Sequence, residues 1–474
     1  MIIKNLSNLE NKNYYVVIIG SGPAGISVAL ELEKKGIYSL ILEAGNLNNN
    51  PNSEEFLRSV SIGDHNGDFT SNRMRMFGGT SSIWGGNCNP MNISNFKDWP
   101  IKQPDLNKYT KKANEILNLK KKFTSQSFNK NLNIYNLVWS NIRFNENYFE
   151  HIKNSKFISL SLNTCFLNMN SLGNKIKTIE CLSSNKIYNI KSNYFILACG
   201  GIENSRILLW LRSKNSQLLD KDLPIGKYYM HHPYHKVSEG VINYTKLRNF
   251  YSKKNFLNIP FVTCDSNIYL EAKNDFLLKN NIPNSGMYIN FKNINIENNL
   301  FKQLRCAAPN FVKKLYDQIN SNEIYEISIN TLQEQEPIEE NRILLSNQVD
   351  PNGVPLTKIF WKKLSSEKKS ARIILEEIGK FLVEKEIGRL AIENYLYEQN
   401  ADYDIISGNH QMGGTRVGNN KTDSVVDKNL KVHGVENLFV AGSSVFRTSG
   451  HSHPTYTIVQ LSLRLADHII SIKS

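Results

Sequence analysis

The hydrophobic pattern of this chain changes character at residue 20. Tyr14 to Ile19, YYVVII, is an unbroken apolar, β-branched run that predicts a buried parallel strand. GSGPAG follows as a glycine turn. ISVALELEKKG then repeats its apolar residues at helical spacing and stops at Gly36, and YSLILEAG resumes as a second strand ending in Glu43. Similar units return far downstream. NYFILACGGIENSRILLWL, from Asn193, predicts a buried strand, a turn at Gly200 and Gly201, and a helix from about Glu203. NLFVAGSS predicts a strand ending at Gly442, and PTYTIVQLSLRLADHII predicts a helix with Pro454 in its first turn. Between these lie the strand-like runs NIPFVTC, SGMYINF, YEISINTL and NRILLSN, then a helical pattern from Ser366 to Gly388.

Strand, glycine turn, helix, strand and acid in that order predict a dinucleotide site. Gly20 allows the tight turn, Gly22 lets a pyrophosphate approach the backbone, and Gly25 lets helix and strand pack closely. The free N–H groups at the helix start attract the phosphates, and Glu43 is placed to accept ribose hydroxyls. This motif alone leaves nicotinamide and flavin open. RMRMFGGTSSIWGGNCNPMN, from Arg73 to Asn92, adds two Gly-Gly pairs around small hydroxyl residues. Such a stretch suits backbone close to a flat ligand, or a purely structural loop.

Composition narrows the class. Over 474 residues, 40% are hydrophobic and 21% charged, as in an ordinary globular protein with more than one structural unit. The net charge of +14 comes from lysines scattered along the whole chain, and the densest cluster, KYTKKANEILNLKKK from Lys108, has the spacing of a solvated helix face. No nucleic-acid partner is expected; the charge favours an anionic small partner at most. The six cysteines are widely separated and suit a reducing compartment. The first residues carry no secretory signal pattern, and no apolar run approaches the roughly 20 residues that span a bilayer. A cytoplasmic protein without a transmembrane segment is expected.

Taken in order, the first glycine motif with its late acid, FGGTSSIWGG, ACGGIENSRILL, EQEPIEENRILLS, HQMGGTR and VVDKNLKVHGVENLFVAGSSVF with HPT resemble the glucose-methanol-choline (GMC) oxidoreductases, a family of FAD-dependent alcohol and sugar oxidases and dehydrogenases. The motifs bracket nearly the whole chain, and residues 240 to 330 match least. The resemblance implies an α/β fold with a discontinuous Rossmann-like FAD-binding domain (1–100, 155–240 and 405–474). It also implies an α+β, sheet-based substrate domain (241–404) and a helical insertion (101–154). It places FAD against Gly20, Ser21, Gly22, Pro23, Ala24, Gly25, Glu43 and Ala44 of the first motif. Further cofactor positions are Arg75, Gly79, Thr80, Trp84 and Asn87 of the second, Cys165, and Gly442, Ser443, Pro454 and Thr455 near the C-terminus. Members that bind flavin covalently use a histidine just before the tryptophan of the second motif. Ile83 stands there, so FAD is expected without a covalent bond.

The family places a histidine and a second histidine or asparagine beside the flavin, and by motif these are His410 and His453. Relatives close in motif often carry NPT where this chain has HPT, so His453 resembles the two-histidine branch. Alcohol oxidation removes a hydroxyl proton and a hydride, and a neutral imidazole suits the first task. His410 is expected as base and His453 as its partner, with the roles open to exchange. His451 and His453 alternate as metal ligands do, but no third ligand stands beside them. His451 is expected to support the site, His231, His232 and His235 in MHHPYH to be structural or supporting, and His433 to be packed. The expected reaction is FAD-dependent oxidation of a sugar, polyol or related alcohol, with oxygen, a quinone or a redox protein as electron acceptor. The alternatives are a sterol or other apolar alcohol, and a flavin-binding module without turnover.

Overall fold

Tyr14–Ile19 forms the strand that its apolar run predicts, with parallel neighbours on both edges, Ser39–Leu42 and Lys186–Leu197. A computed structural model describes residues 1–3, 6–8, 14–64, 69–252, 268–293, 307–314, 324–405 and 409–473. In the first sheet, Ile158–Ser161 lies beyond Ser39–Leu42. The long strand Lys186–Leu197 divides its pairing. Its end runs parallel to Leu438–Val440, from the far end of the chain, while its start forms an antiparallel hairpin with Lys175–Ser183. The helices Pro23–Glu33 and Pro454–Lys473 pack on one another and share the apolar core of this sheet.

A second sheet is antiparallel throughout, in the order Gly388–Ile392, Tyr234–Asn243, Ile324–Gln333, Ser285–Asn293, Ile268–Ala272, Leu132–Tyr135 and Ser125–Ser127. The helix Ser365–Glu384 covers it with Ala371, Ile374, Leu375, Ile378, Phe381 and Leu382. Each large apolar side chain buried there contributes about 1.5–3 kcal/mol, so packing rather than helix propensity holds the pair together. A third, three-stranded sheet joins distant segments, pairing Pro355–Trp361 with Arg342–Val349 and, in parallel, with Ser59–Gly63. The fold is mixed α/β with several sheets, as expected.

Some elements differ from the sequence reading. Residues 101–154 hold the helices Gln103–Asn107 and Thr110–Ile116, and also strands: Leu132–Tyr135 buries alternate residues and joins the second sheet. Four residues are too few for alternation to stand out in the sequence. Tyr234–Asn243 crosses the expected boundary at 240 and is an inner strand of the second sheet. The helix expected to reach Gly388 ends at Glu384. Gly388 opens the next strand instead, where a Cβ would stand 2.2 Å from the Val241 carbonyl oxygen. Within the basic cluster, Lys112 is paired with the buried Glu31, while Lys108, Lys111, Lys120, Lys121 and Lys122 are exposed. The run NIPFVTC lies outside the described residues.

Candidate active site

The turn after Tyr14–Ile19 separates packing glycines from an open one. Gly20 has φ +106°, and a Cβ there would come within 2.5 Å of the Ala198 carbonyl oxygen; at Gly25 it would lie 2.1 Å from the Gly20 oxygen. A Cβ on Gly22 would meet nothing within 4 Å, because Gly22 faces a cavity. It is also the N-cap of Pro23–Glu33, with no side chain capping the first N–H groups. An open backbone at an uncapped helix start is an anion cradle. Glu43 holds the turn in shape, accepting from the Ser21 hydroxyl (2.6 Å), the Ser21 N–H (3.1 Å) and the Gly45 N–H (2.8 Å). Burial pushes its pKa up, with these hydrogen bonds and Arg75 opposing.

The second glycine stretch lies over the first. A Cβ on Gly79 would stand 3.3 Å from the Gly22 Cα, and the Thr80 hydroxyl accepts from the Met74 N–H at 3.2 Å. Arg75 donates to the Cys165 sulfur at 2.7 Å and stacks on Phe56, and Trp84 donates to the Ile142 carbonyl at 2.8 Å. From the C-terminal segment, Gly442 has φ +111°, and the Ser443 hydroxyl holds the Gln411 carbonyl at 2.6 Å. Pro454 and Thr455 open the last helix. Gly20, Ser21, Gly22, Pro23, Ala24, Glu43, Ala44, Arg75, Gly79, Thr80, Trp84, Asn87, Cys165, Gly442, Ser443, Pro454 and Thr455 all line one cavity of about 650 Å³. Gly25 lies beneath it and packs on the turn.

His410 and His453 line the same cavity, with ring centroids 5.3 Å apart and planes at 79°. The Asn89 side-chain oxygen, an acceptor, lies 2.9 Å from the His453 backbone N and 3.0 Å from its Nδ1. The ring proton of His453 therefore sits on Nδ1, and Nε2 accepts from the Tyr288 hydroxyl at 3.1 Å. Nδ1 of His410 lies 2.9 Å from Nδ1 of the buried His232, and Nε2 of His410 has no hydrogen-bond partner among the described residues. Burial, reinforced by neighbouring histidines, holds His410 well below the ordinary imidazole value and His453 down to about 4. Both rings are neutral at pH 7.

The remaining histidines are held in different ways. His451 does not line the cavity; its Nε2 lies 3.0 Å from the Glu271 carboxylate, which also accepts from Asn92. His235 is held between Tyr395 and Gln333, His433 meets Ser424, and both ring nitrogens of the buried His231 lack a hydrogen-bond partner among the described residues. Other cavity residues lie in or near the quoted motifs, but the sequence gives no sign that they pair. Arg73, Glu203, Arg206 and Asp350 form a buried chain of ion pairs at 2.8, 3.0 and 2.7 Å along the cavity. Burial pushes Glu203 up, but the two arginines outweigh it and lower its pKa. Tyr234, Tyr288 and Leu332, from the second sheet, line the cavity too. Asn89 was within reach of reading, since it lies in the glycine-rich stretch, but its acceptor role depends on the fold.

Comparison with known proteins adds the family. A GMC oxidoreductase domain model matches residues 337–462, and an FAD-binding domain model matches residues 13–51, which include the anion cradle. The fructose dehydrogenase large subunit of Gluconobacter japonicus is 32% identical over 160 residues, 34% of this chain and 28% of that protein. The 2-methyl-1,2-propanediol dehydrogenase of Mycolicibacterium austroafricanum is 31% identical over 137 residues, 28% of this chain and 23% of that one. The matched parts thus span less than a third of either relative's length. Among solved structures, a formate oxidase superposes with a TM-score of 0.57 at 14% identity, covering 97% of this chain and 98% of that chain. Pyridoxine 4-oxidase from Mesorbium loti gives 0.56 at 14% identity, covering 96% and 99%. These two similarities concern the fold alone.

Proposed function

We propose, starting from the fact that this chain belongs to the GMC oxidoreductase family, that it is an FAD-dependent enzyme oxidising a hydroxyl group on a sugar, polyol or related alcohol to a carbonyl. The observation that carries this reading is a single cavity with an anion cradle in one wall and two neutral, facing imidazoles in another. The cradle fits FAD by its donor chemistry: open backbone at Gly22, the helix start at Pro23 and the held turn at Ser21. Glu43, though engaged by three donors, keeps one lone pair, on Oε1, for a ribose hydroxyl. Ile83, 52% exposed at the cavity, offers no nucleophile, and FAD is held without a covalent bond.

Bound FAD supplies an acceptor for the hydride of the alcohol carbon. The chain's own residues handle the proton. His410 accepts the hydroxyl proton at Nε2, which has no other partner among the described residues, while the ring of His453, held by Asn89 at Nδ1 and by the Tyr288 hydroxyl at Nε2, faces it across the cavity. As negative charge builds on the substrate oxygen, the Tyr288 O–H becomes its donor by turning away from His453 Nε2, the acceptor it meets without substrate. We read the chain as a nucleotide part built around the first sheet and a substrate part built around the second, which contributes Tyr234, Tyr288 and Leu332. The names of the two dehydrogenase relatives favour a polyhydroxylated substrate. The aromatic and apolar character of Tyr234, Tyr288 and Leu332 favours the second reading, a sterol or other apolar alcohol. A cytoplasmic location remains our expectation; among the described residues four cysteines are free, and no helix is long and apolar enough to cross a membrane.

The test is direct. The purified protein is expected to be yellow, to release FAD on denaturation, and to bleach anaerobically with one class among sugars, polyols and apolar alcohols. Reoxidation by oxygen, a quinone or a redox protein then identifies the acceptor. His410→Ala is expected to keep FAD and to slow flavin reduction by about 10²–10⁴-fold, the usual contribution of general acid–base catalysis. A wild-type rate in that variant would remove His410 as the base.

A further inference from the structure

His232 is fully buried and does not line the cavity, so it touches no substrate. Its two nitrogens are nevertheless both engaged. Nε2 faces the Ser449 carbonyl oxygen at 3.3 Å, and Nδ1 faces Nδ1 of His410 at 2.9 Å, with the rings at 89° to one another. A carbonyl oxygen only accepts, and a neutral imidazole has one proton for two nitrogens. The proton of His232 therefore sits on Nε2, and its Nδ1 is an acceptor. Between two facing Nδ1 atoms one must donate, so the ring proton of His410 sits on Nδ1 and its lone pair on Nε2. The reverse assignment would set two acceptors, Nε2 of His232 and the Ser449 oxygen, against each other in a buried place. That carbonyl is itself anchored: the Ser449 hydroxyl donates to the Gln335 carbonyl (3.1 Å) and accepts from the Gln335 N–H (2.9 Å).

We infer that His232 is a positioning residue that fixes the tautomer of His410, so that the nitrogen turned away from the buried wall carries the lone pair needed for proton removal. The inference rests on the reading of His410 as base. His453 reaches the same state by a different acceptor, the Asn89 side-chain oxygen. Burial also keeps His232 uncharged, with its pKa lowered to about 3, so it stays neutral near pH 7.

The test uses the FAD-loaded enzyme. With ¹⁵N-labelled histidine, and with the His410 signals assigned by their loss in His410→Gln, the wild type is expected to show a protonated Nδ1 and an unprotonated Nε2 at His410. His232→Phe removes the acceptor and is expected to shift His410 towards the other tautomer. Flavin reduction should slow by at least about tenfold, towards the hundredfold scale of general acid–base catalysis, with little change in KM. His232→Asn returns an acceptor oxygen near the position of Nδ1 and is expected to restore the Nδ1–H signal and most of the rate. A protonated Nε2 at His410 in the wild type would overturn the inference, even if His232→Phe fails to fold. So would an unchanged tautomer in a folded His232→Phe. A wild-type rate in His410→Ala would instead sink the base assignment and leave the tautomer result standing.

Discussion

The two ends of the cavity are built on opposite plans. The cradle is written in one short stretch, from Tyr14 to Glu43, and its working parts are backbone: a left-handed Gly20, an open Gly22, and N–H groups at the start of a helix. The histidine wall is made of side chains whose partners are 178, 165 and 364 residues away in the chain: His232 with His410, Tyr288 with His453, and Asn89 with His453. A backbone site is set by what a residue lacks. A side-chain relay is set by which atoms donate, and depends on the whole fold to bring them together.

That contrast predicts graded responses. Gly25→Val should have the largest effect, because even a Cβ there would lie 2.1 Å from the Gly20 oxygen; the expected product is colourless or insoluble protein. Gly22→Ala should fold with unchanged thermal stability and lose only FAD affinity, which titration of the apoprotein would reveal. Arg206→Met leaves Glu203 and Asp350 buried beside the cavity with a lost partner, and should cost about 3–5 kcal/mol in denaturant unfolding. Tyr288→Phe removes one hydrogen bond from His453. A net value of about 0.5–1.5 kcal/mol predicts up to about a tenfold slower flavin reduction with stability little changed. An unchanged rate would separate Tyr288 from the chemistry.

The mildest effect concerns pH. His453, His231 and His235 are lowered to about 4 by burial, whereas the unfolded chain takes up protons near pH 6.5. The unfolded state binds more protons between these values, so the stability contributed by the neutral rings is present above pH 6.5 and is lost as pH falls through about 4. The melting temperature of the FAD-loaded protein should decline over that window. If these rings were instead held protonated, the slope would reverse.

How much could be read from the sequence follows the same division. Gly20, Gly22 and Gly25 were legible because each states a local geometric need, and the strand Tyr14–Ile19 because an apolar run of that length has few other uses, whereas the hold of Glu43 on Ser21 and Gly45 was not read. His410 and His453 were legible only through motif resemblance. Asn89, Tyr288 and the orientation of His232 were not, since no local period encodes a contact across more than a hundred residues. The strands within 101–154 were hidden for a related reason: Leu132–Tyr135 is too short to announce itself and becomes a strand by adding to a neighbour, Ile268–Ala272.

Leu438–Val440 seats against Lys186–Leu197, and the final helix packs on Pro23–Glu33. During synthesis, the ribosome must add about 240 residues after Leu197 before that edge strand exists, on the order of 10–50 s at typical elongation speeds. Throughout that interval Phe195, Ile196 and Leu197 wait for the neighbour that Leu438–Val440 later supplies. The cavity, which takes Gly442, Ser443, Pro454 and Thr455 into its lining, is complete only after that strand and the helix start behind it have been made.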